Sequence, residues 1–97
     1  MTDKKLNSAE ISSKITDLPK WKVNASHQLE QEFAFKTFRE AFSFMTRVAF
    51  EAEELDHHPD WSNTYNKVKI ELSTHSAGGI TDKDFELARR IEKINWR

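Results

Sequence analysis

From Thr37 to Asp56 the apolar residues recur at helical spacing, and Pro59 then closes the run. Phe38, Ala41, Phe42, Met45, Ala49 and Ala52 follow the i, i+3, i+4, i+7 pattern of an amphipathic helix. Phe44, Val48 and Leu55 widen that stripe along one flank, while Phe50 lies well off it and suggests either a surface for self-association or packing under a loop. The proline ring disfavours helical geometry at His58, so the helix is expected to end near Asp56 or His57. A long helix with one apolar face needs a second layer to cover it. The flanking segments supply that layer.

On each side of the helix the pattern changes to a period of two. Trp21-Lys22-Val23 alternates, and Leu29, Gln31, Phe33 and Phe35 share one side of a second strand opened by His27. Asn24-Ala25-Ser26 is a plausible hairpin connection between them. After Pro59, Trp61 to Tyr65 and Lys67 to Thr74 read as strands linked tightly at Asn66, with Val68, Ile70 and Leu72 facing inward. A first helix begins at Asn7 with Glu10 completing a capping box, and Leu6 and Ile11 sit where a hydrophobic staple would close. Ile11, Ile15 and Leu18 give its buried stripe before Pro19 stops it. Gly78-Gly79 reads as a flexible loop. Thr81 caps a last helix whose third position is Asp84 and whose buried face is Phe85, Ala88, Ile91 and Ile94. The order helix, two strands, helix, two strands, helix predicts an α+β fold: a four-stranded antiparallel sheet with three helices packed on one face.

The 97 residues are expected to form one domain, with residues 1–5 frayed. A chain this short benefits from a partner surface. Fifteen Lys and Arg balance sixteen Asp and Glu, which argues against a phosphate backbone as the main partner. The absence of cysteine removes disulfides and thiolate metal sites. No apolar run long enough for a membrane span and no signal pattern follow Met1, so no membrane partner and a cytoplasmic location are expected.

Chemistry concentrates between Glu53 and Asp84, where three of the four histidines stand beside carboxylates and aromatics. Histidine changes charge near neutral pH, which suits proton transfer. His57 and His58 follow a helix end, and His75 follows the last strand; if that strand runs back beside the helix, His75 and His57 meet on one pocket. Trp61 and Tyr65 are near enough in sequence to wall it, and Asp56 and Glu53 to orient an imidazole. A three-histidine zinc site is the sharpest competitor, but adjacent histidines chelate one ion poorly and no helical His-x-x-x-His pair is present. No serine lies in a nucleophile-elbow context, and two glycines cannot build a phosphate loop.

At these residues the chain resembles the pterin-4a-carbinolamine dehydratases. Their pattern is an acidic residue, three residues, His-His-Pro, an aromatic, a later histidine and a final Asp. Here it reads Glu53, His57-His58-Pro59, Tyr65, His75 and Asp84, and Phe42 to Ala49 and Tyr65 to Val68 also look like the family. The resemblance implies dehydration of 4a-hydroxytetrahydrobiopterin to quinonoid dihydrobiopterin, a substrate produced by an aromatic amino acid hydroxylase. It implies His57 and His75 as the acid–base pair, with His58 positioning the pterin and sharing in proton transfer. Glu53, Asp56, Pro59, Trp61, Ser73, Thr74, Ser76 and Asp84 would form the substrate-binding set, with Asp84 serving chiefly as a cap. No metal and no cofactor are implied, and a homodimer or homotetramer is. Some animal members also bind a homeodomain transcription factor, which supplies a non-enzymatic alternative. Replacing His57 or His75 by Ala is expected to lower the rate and leave thermal stability nearly unchanged.

Overall fold

Helix α1 (Ser8–Lys14) begins at Asn7 in the computed structural model, which describes residues 3–95. The capping box forms as expected: Asn7 Oδ1 accepts from the Glu10 N–H at 2.8 Å, and Glu10 Oε1 accepts from the Asn7 N–H at 2.9 Å. A 3-10 turn over Ile15–Asp17 follows and delivers Leu18 to the core. Of the segment expected to fray, residues 1 and 2 lie outside the described residues. Asp3 pairs with Lys83 at 3.4 Å, and the Leu6 N–H donates to the Ile80 carbonyl. Asp3 and Leu6 are therefore tied to the start of the last helix and the segment just before it.

Strands β1 (Lys22–Val23) and β2 (Leu29–Ala34) are joined by a turn that Asn24 organises. Its side-chain oxygen accepts from the N–H groups of Ser26 and Gln28. His27 does not open β2; it sits in that turn with φ 59, a left-handed backbone that places it before the ladder starts. Helix α2 (Phe38–Leu55) follows, then β3 (Asp60–Thr64), β4 (Lys67–Leu72) and α3 (Asp82–Glu92). The sheet order is β1-β2-β4-β3, antiparallel throughout. β4 thus lies centrally, and its inward residues Val68, Ile70 and Leu72 are fully enclosed.

Against this face α2 lays Ala41, Phe44, Val48 and Ala52, and α3 lays Phe85, Leu87, Ala88 and Ile91. The α2 stripe is therefore rotated from the expected one. Phe38 and Phe42, expected inside, are 48% and 57% exposed. A helix turns about 100° per residue, so these two lie on the shoulder of the arc while Phe44 and Val48 take its centre. Phe44 packs on Phe33 and Phe35, with ring centroids 4.7 and 5.1 Å away. Leu87, absent from the expected α3 face, is as buried as Phe85. Gln31, a polar residue on the inward side of β2, is satisfied by Glu92 at 2.7 Å, which also accepts from the Trp21 indole.

Thr37 caps α2, its hydroxyl accepting from the Glu40 N–H at 3.2 Å. Thr37→Ala should therefore cost about 1 kcal/mol, lowering Tm by roughly 4–8 °C in a calorimetric scan.

The outer face of the sheet carries the row Lys22, Glu30, Glu71 and Asp60 across four strands. Glu30 and Glu71 stand directly opposite, a pairing that like charges disfavour. The Asn24 amide bridges them at 3.1 Å each. That hydrogen bond, with Lys69 and Lys22 nearby, holds the Glu30 carboxyl below its usual range against the opposing effect of burial. A depressed carboxylate contributes stability that is present above its unfolded pKa and lost as pH falls through the folded one. Chemical denaturation between about pH 5 and pH 2 should thus show a shallower acid loss in Glu30→Gln than in the parent chain.

Candidate active site

The end of α2 sets the position of the first histidine. Asp56 takes a left-handed backbone (φ 50), and the N–H groups of Asp56 and His57 return to the carbonyls of Glu53 and Ala52. This is a Schellman closure, and it turns the chain sharply enough to send His57 inward while Pro59 prevents further helix. His57 is 9% exposed. Its Nε2 lies 2.5 Å from Oδ1 of Asp84, whose side chain is completely buried.

Asp84 comes from the first turn of α3, 27 residues away. Its second oxygen accepts from the Thr81 N–H and from the Thr74 hydroxyl, each at 2.9 Å. Both oxygens are occupied, so Asp84 reaches a ligand only through His57. Thr74 and Thr81 also touch each other, hydroxyl to hydroxyl, at 2.7 Å.

His75 follows Thr74 and opens a 3-10 turn, His75–Ala77, that ends at Gly78 with φ 74. Gly78-Gly79 closes a hydrogen-bonded turn, with the Gly78 N–H donating to the Thr74 carbonyl at 3.0 Å. Gly79 bridges back to Thr74, and a Cβ on it would meet the Lys5 side chain at 2.9 Å. The turn thus fixes the backbone on which His75 stands. The His75 ring projects outward, 81% exposed, with Nε2 3.7 Å from Asp60. His58 is likewise exposed at 58%, and its Nε2 meets Glu53 at 2.6 Å.

Each histidine of the cluster therefore has its own carboxylate: His57 with Asp84, His58 with Glu53, His75 with Asp60. No hydrogen bond or ion pair joins the His57 and His75 rings among the described residues, so the expected meeting on one pocket is replaced by two short links between their segments. Asp84 joins His57 to Thr74, the neighbour of His75, and Asp60, three residues after His57, faces His75. All of these groups stand at one end of the sheet. Trp61 is half-buried beside the core, Pro59 and Ser73 are half-buried, and Asp56 and Ser76 are exposed.

Tyr65 does not join them. It occupies the β3–β4 turn with φ 52 and is 65% exposed. Asp60 opens β3 and Tyr65 follows its last residue, five steps and roughly 16 Å away along a strand. Short sequence distance from Trp61 is not short spatial distance when the intervening chain is extended. Asp60 was not among the sequence candidates, although its place directly after His-His-Pro was the available signal. Gln28 was also unforeseen; its amide donates to Asp60 at 3.2 Å and ties the β1–β2 turn to the site.

The stability expected of the two alanine variants also needs correction. His75 is exposed and its loss leaves nothing buried behind, but removing His57 strands a buried carboxylate oxygen. Among the described residues no cluster of three or more His, Cys, Asp or Glu is arranged to hold a metal ion, and no helix is long and apolar enough to cross a membrane.

Fold and site together define an α+β protein carrying a set of histidine–carboxylate pairs suited to proton transfer. The chain belongs to the pterin 4 alpha carbinolamine dehydratase family, which residues 4–94 match. A Rhodospirillum rubrum protein assigned provisionally to pterin-4-alpha-carbinolamine dehydratase is 50% identical, covering 97% of this chain and 98% of its own. An Opitutus terrae protein of the same provisional name is 51% identical over 94% of each chain. The crystal structure of a transcriptional coactivator/pterin dehydratase from Brucella melitensis superposes with a TM-score of 0.87 at 39% identity, covering 91% of this chain and 95% of that one. A pterin dehydratase-like protein described as a RuBisCO assembly factor of the alpha-carboxysome shares the fold, with a TM-score of 0.65 at 21% identity, over 75% of this chain and 86% of its own.

Proposed function

We propose that this protein dehydrates 4a-hydroxytetrahydropterin to quinonoid dihydropterin and water by histidine general acid–base catalysis. The observation that carries the proposal is His57, buried against Asp84 and linked through Thr74 to the segment that bears His75. The reaction breaks the C4a–O bond. An imidazolium gives its proton to the departing hydroxyl, which leaves as water; the lone pair of the adjacent ring nitrogen forms the new C=N bond, and a neutral imidazole takes that nitrogen's proton. Each transfer is worth about 10²–10⁴-fold when correctly placed.

Asp84, an ionised acceptor, fixes Nε2 of His57 as a protonated nitrogen. That leaves Nδ1, which has no hydrogen-bond partner among the described residues, for the substrate. His58, held by Glu53, lies beside it to orient the pterin, and Trp61 offers a flat face for the ring. His75 on its rigid turn supplies the second proton site. Asp56, Pro59, Ser73, Thr74 and Ser76 complete the surrounding segments.

The test is dehydration of a 4a-hydroxytetrahydropterin generated in situ by an aromatic amino acid hydroxylase, followed by the loss of its ultraviolet absorbance. His75→Ala should slow the catalysed rate by about 10²-fold with Tm unchanged. A rate for the parent chain no faster than the spontaneous reaction would remove the proposal. Activity that disappears on exhaustive chelation and returns with metal would replace it by metal chemistry.

Self-association belongs to the same reading and is supported by the Phe38–Phe42 pair, exposed on α2 with ring centroids 5.9 Å apart. Sedimentation showing a monomer at all concentrations would remove it.

A further inference from the structure

Thr81 caps α3, is completely buried, and its hydroxyl sits at the far end of the Asp84 network. We propose that Thr81 is a positioning residue which, through Thr74, holds the Asp84 carboxylate in place against the Nε2 proton of His57.

The direction of every hydrogen bond in the network follows from counting protons. An ionised carboxylate only accepts, so Thr74 must spend its single hydroxyl proton on Asp84 Oδ2. In its 2.7 Å contact with Thr81, Thr74 is then the acceptor, and the Thr81 hydroxyl is the donor. Thr81 Oγ1 accepts in turn from the Lys83 N–H at 3.2 Å. The chain therefore runs one way, from Lys83 to Thr81 to Thr74 to Asp84, with His57 Nε2–H donating to Asp84 from the other side.

Bonds aligned in one direction polarise each other, and enclosure strengthens them. The enclosure is close to complete: Thr81 and Asp84 are 0% exposed, Thr74 4% and His57 9%. A threonine hydroxyl rotates to suit its surroundings. The Thr81 donor removes that freedom by occupying the Thr74 lone pair and leaving its proton pointed at Asp84. The kinetic consequence rests on the dehydratase reading above; the tautomer of His57 does not.

The experiment pairs Thr81→Val, close in shape but without the hydroxyl, with Thr81→Ser, which restores it. Nitrogen-15 NMR of the parent protein should show neutral His57 as the Nε2–H form, with a downfield Nε2 proton. In Thr81→Val that proton should move upfield. The turnover number should fall about tenfold with KM within about twofold, and Thr81→Ser should recover both signals. An Nδ1–H tautomer in the parent protein overturns the proposal without any variant, which matters if the loss of the cap prevents Thr81→Val from folding. A folded Thr81→Val with unchanged His57 signals also overturns it, even if turnover has dropped. If the NMR signals shift while no form of the protein dehydrates a pterin, the positioning role stands and the dehydratase reading fails.

Discussion

His57→Ala should cut turnover by about 10²–10⁴-fold and lower Tm by roughly 12–24 °C, whereas His75→Ala should cut turnover and leave Tm in place. The two histidines are equivalent in the chemistry proposed for them and opposite in their surroundings. His75 is 81% exposed and faces Asp60, itself 55% exposed, across 3.7 Å. Water replaces such a partner at little cost, since exposed ion pairs contribute about 0–1 kcal/mol. His57 is 10% exposed along its side chain and faces a carboxylate with no exposure. Removing the ring leaves that carboxylate oxygen buried without a donor, a penalty of about 3 kcal/mol in a domain whose total stability is of order 5–15 kcal/mol. At roughly 4–8 °C per kcal/mol for a chain of this size, the melting shift is large enough to separate the variants in a single scan. Equal melting temperatures for the two would contradict the burial argument, and a folded His57→Ala turning over at the parent rate would remove His57 from the reaction.

The sequence carries the fold because each element is announced locally. Asn7 and Glu10, Thr37, Thr81 and Asp84 mark helix starts within three residues of themselves, and Pro59 marks a stop. The rotation of α2 is less legible. An apolar arc that includes Phe38, Phe42, Phe44 and Val48 is wider than the buried one, and only the partner layer decides which part is covered. Phe44 won that contact because Phe33 and Phe35 stand opposite it.

The site divides along the same line. His57, His58, Pro59 and Glu53 come together by local geometry, through one helix end and the turn after it. Asp84 looks self-sufficient as the third residue of a capping box, and nothing within its own helix hints at a histidine 27 positions earlier. One carboxylate performs both tasks because its two oxygens face different elements. Sequence spacing also misplaced Tyr65, since a strand carries its far end away as efficiently as a helix end folds neighbours together.

Asp84→Asn should preserve the fold and lower turnover by about 10³–10⁴-fold, the scale seen when a histidine is held in the wrong tautomer. The substitution keeps the shape and exchanges one acceptor for a donor. The network offers three donors to this side chain: Thr81 N–H and Thr74 O–H on one oxygen, His57 Nε2–H on the other. An amide accepts at only one of those positions. Two donors converge on the Oδ2 side, one of them a backbone N–H that cannot turn away, so the amide oxygen is expected there and the NH₂ group toward His57. Neutral His57 must then accept at Nε2 and carry its proton on Nδ1, the nitrogen proposed for the substrate. An Nδ1 that already carries a proton has no lone pair with which to accept another from the substrate. The variant's helix cap survives, because the retained oxygen still accepts from the Thr81 N–H. Thermal unfolding should therefore move far less than in His57→Ala, while the nitrogen-15 signature of His57 reverses. Full activity in a folded Asp84→Asn, or an unchanged His57 tautomer, would show that the buried carboxylate does not direct the imidazole. The slope of rate against pH supplies a second reading: if Asp84 acts only as a cap, the profile of the variant overlays that of the parent after scaling.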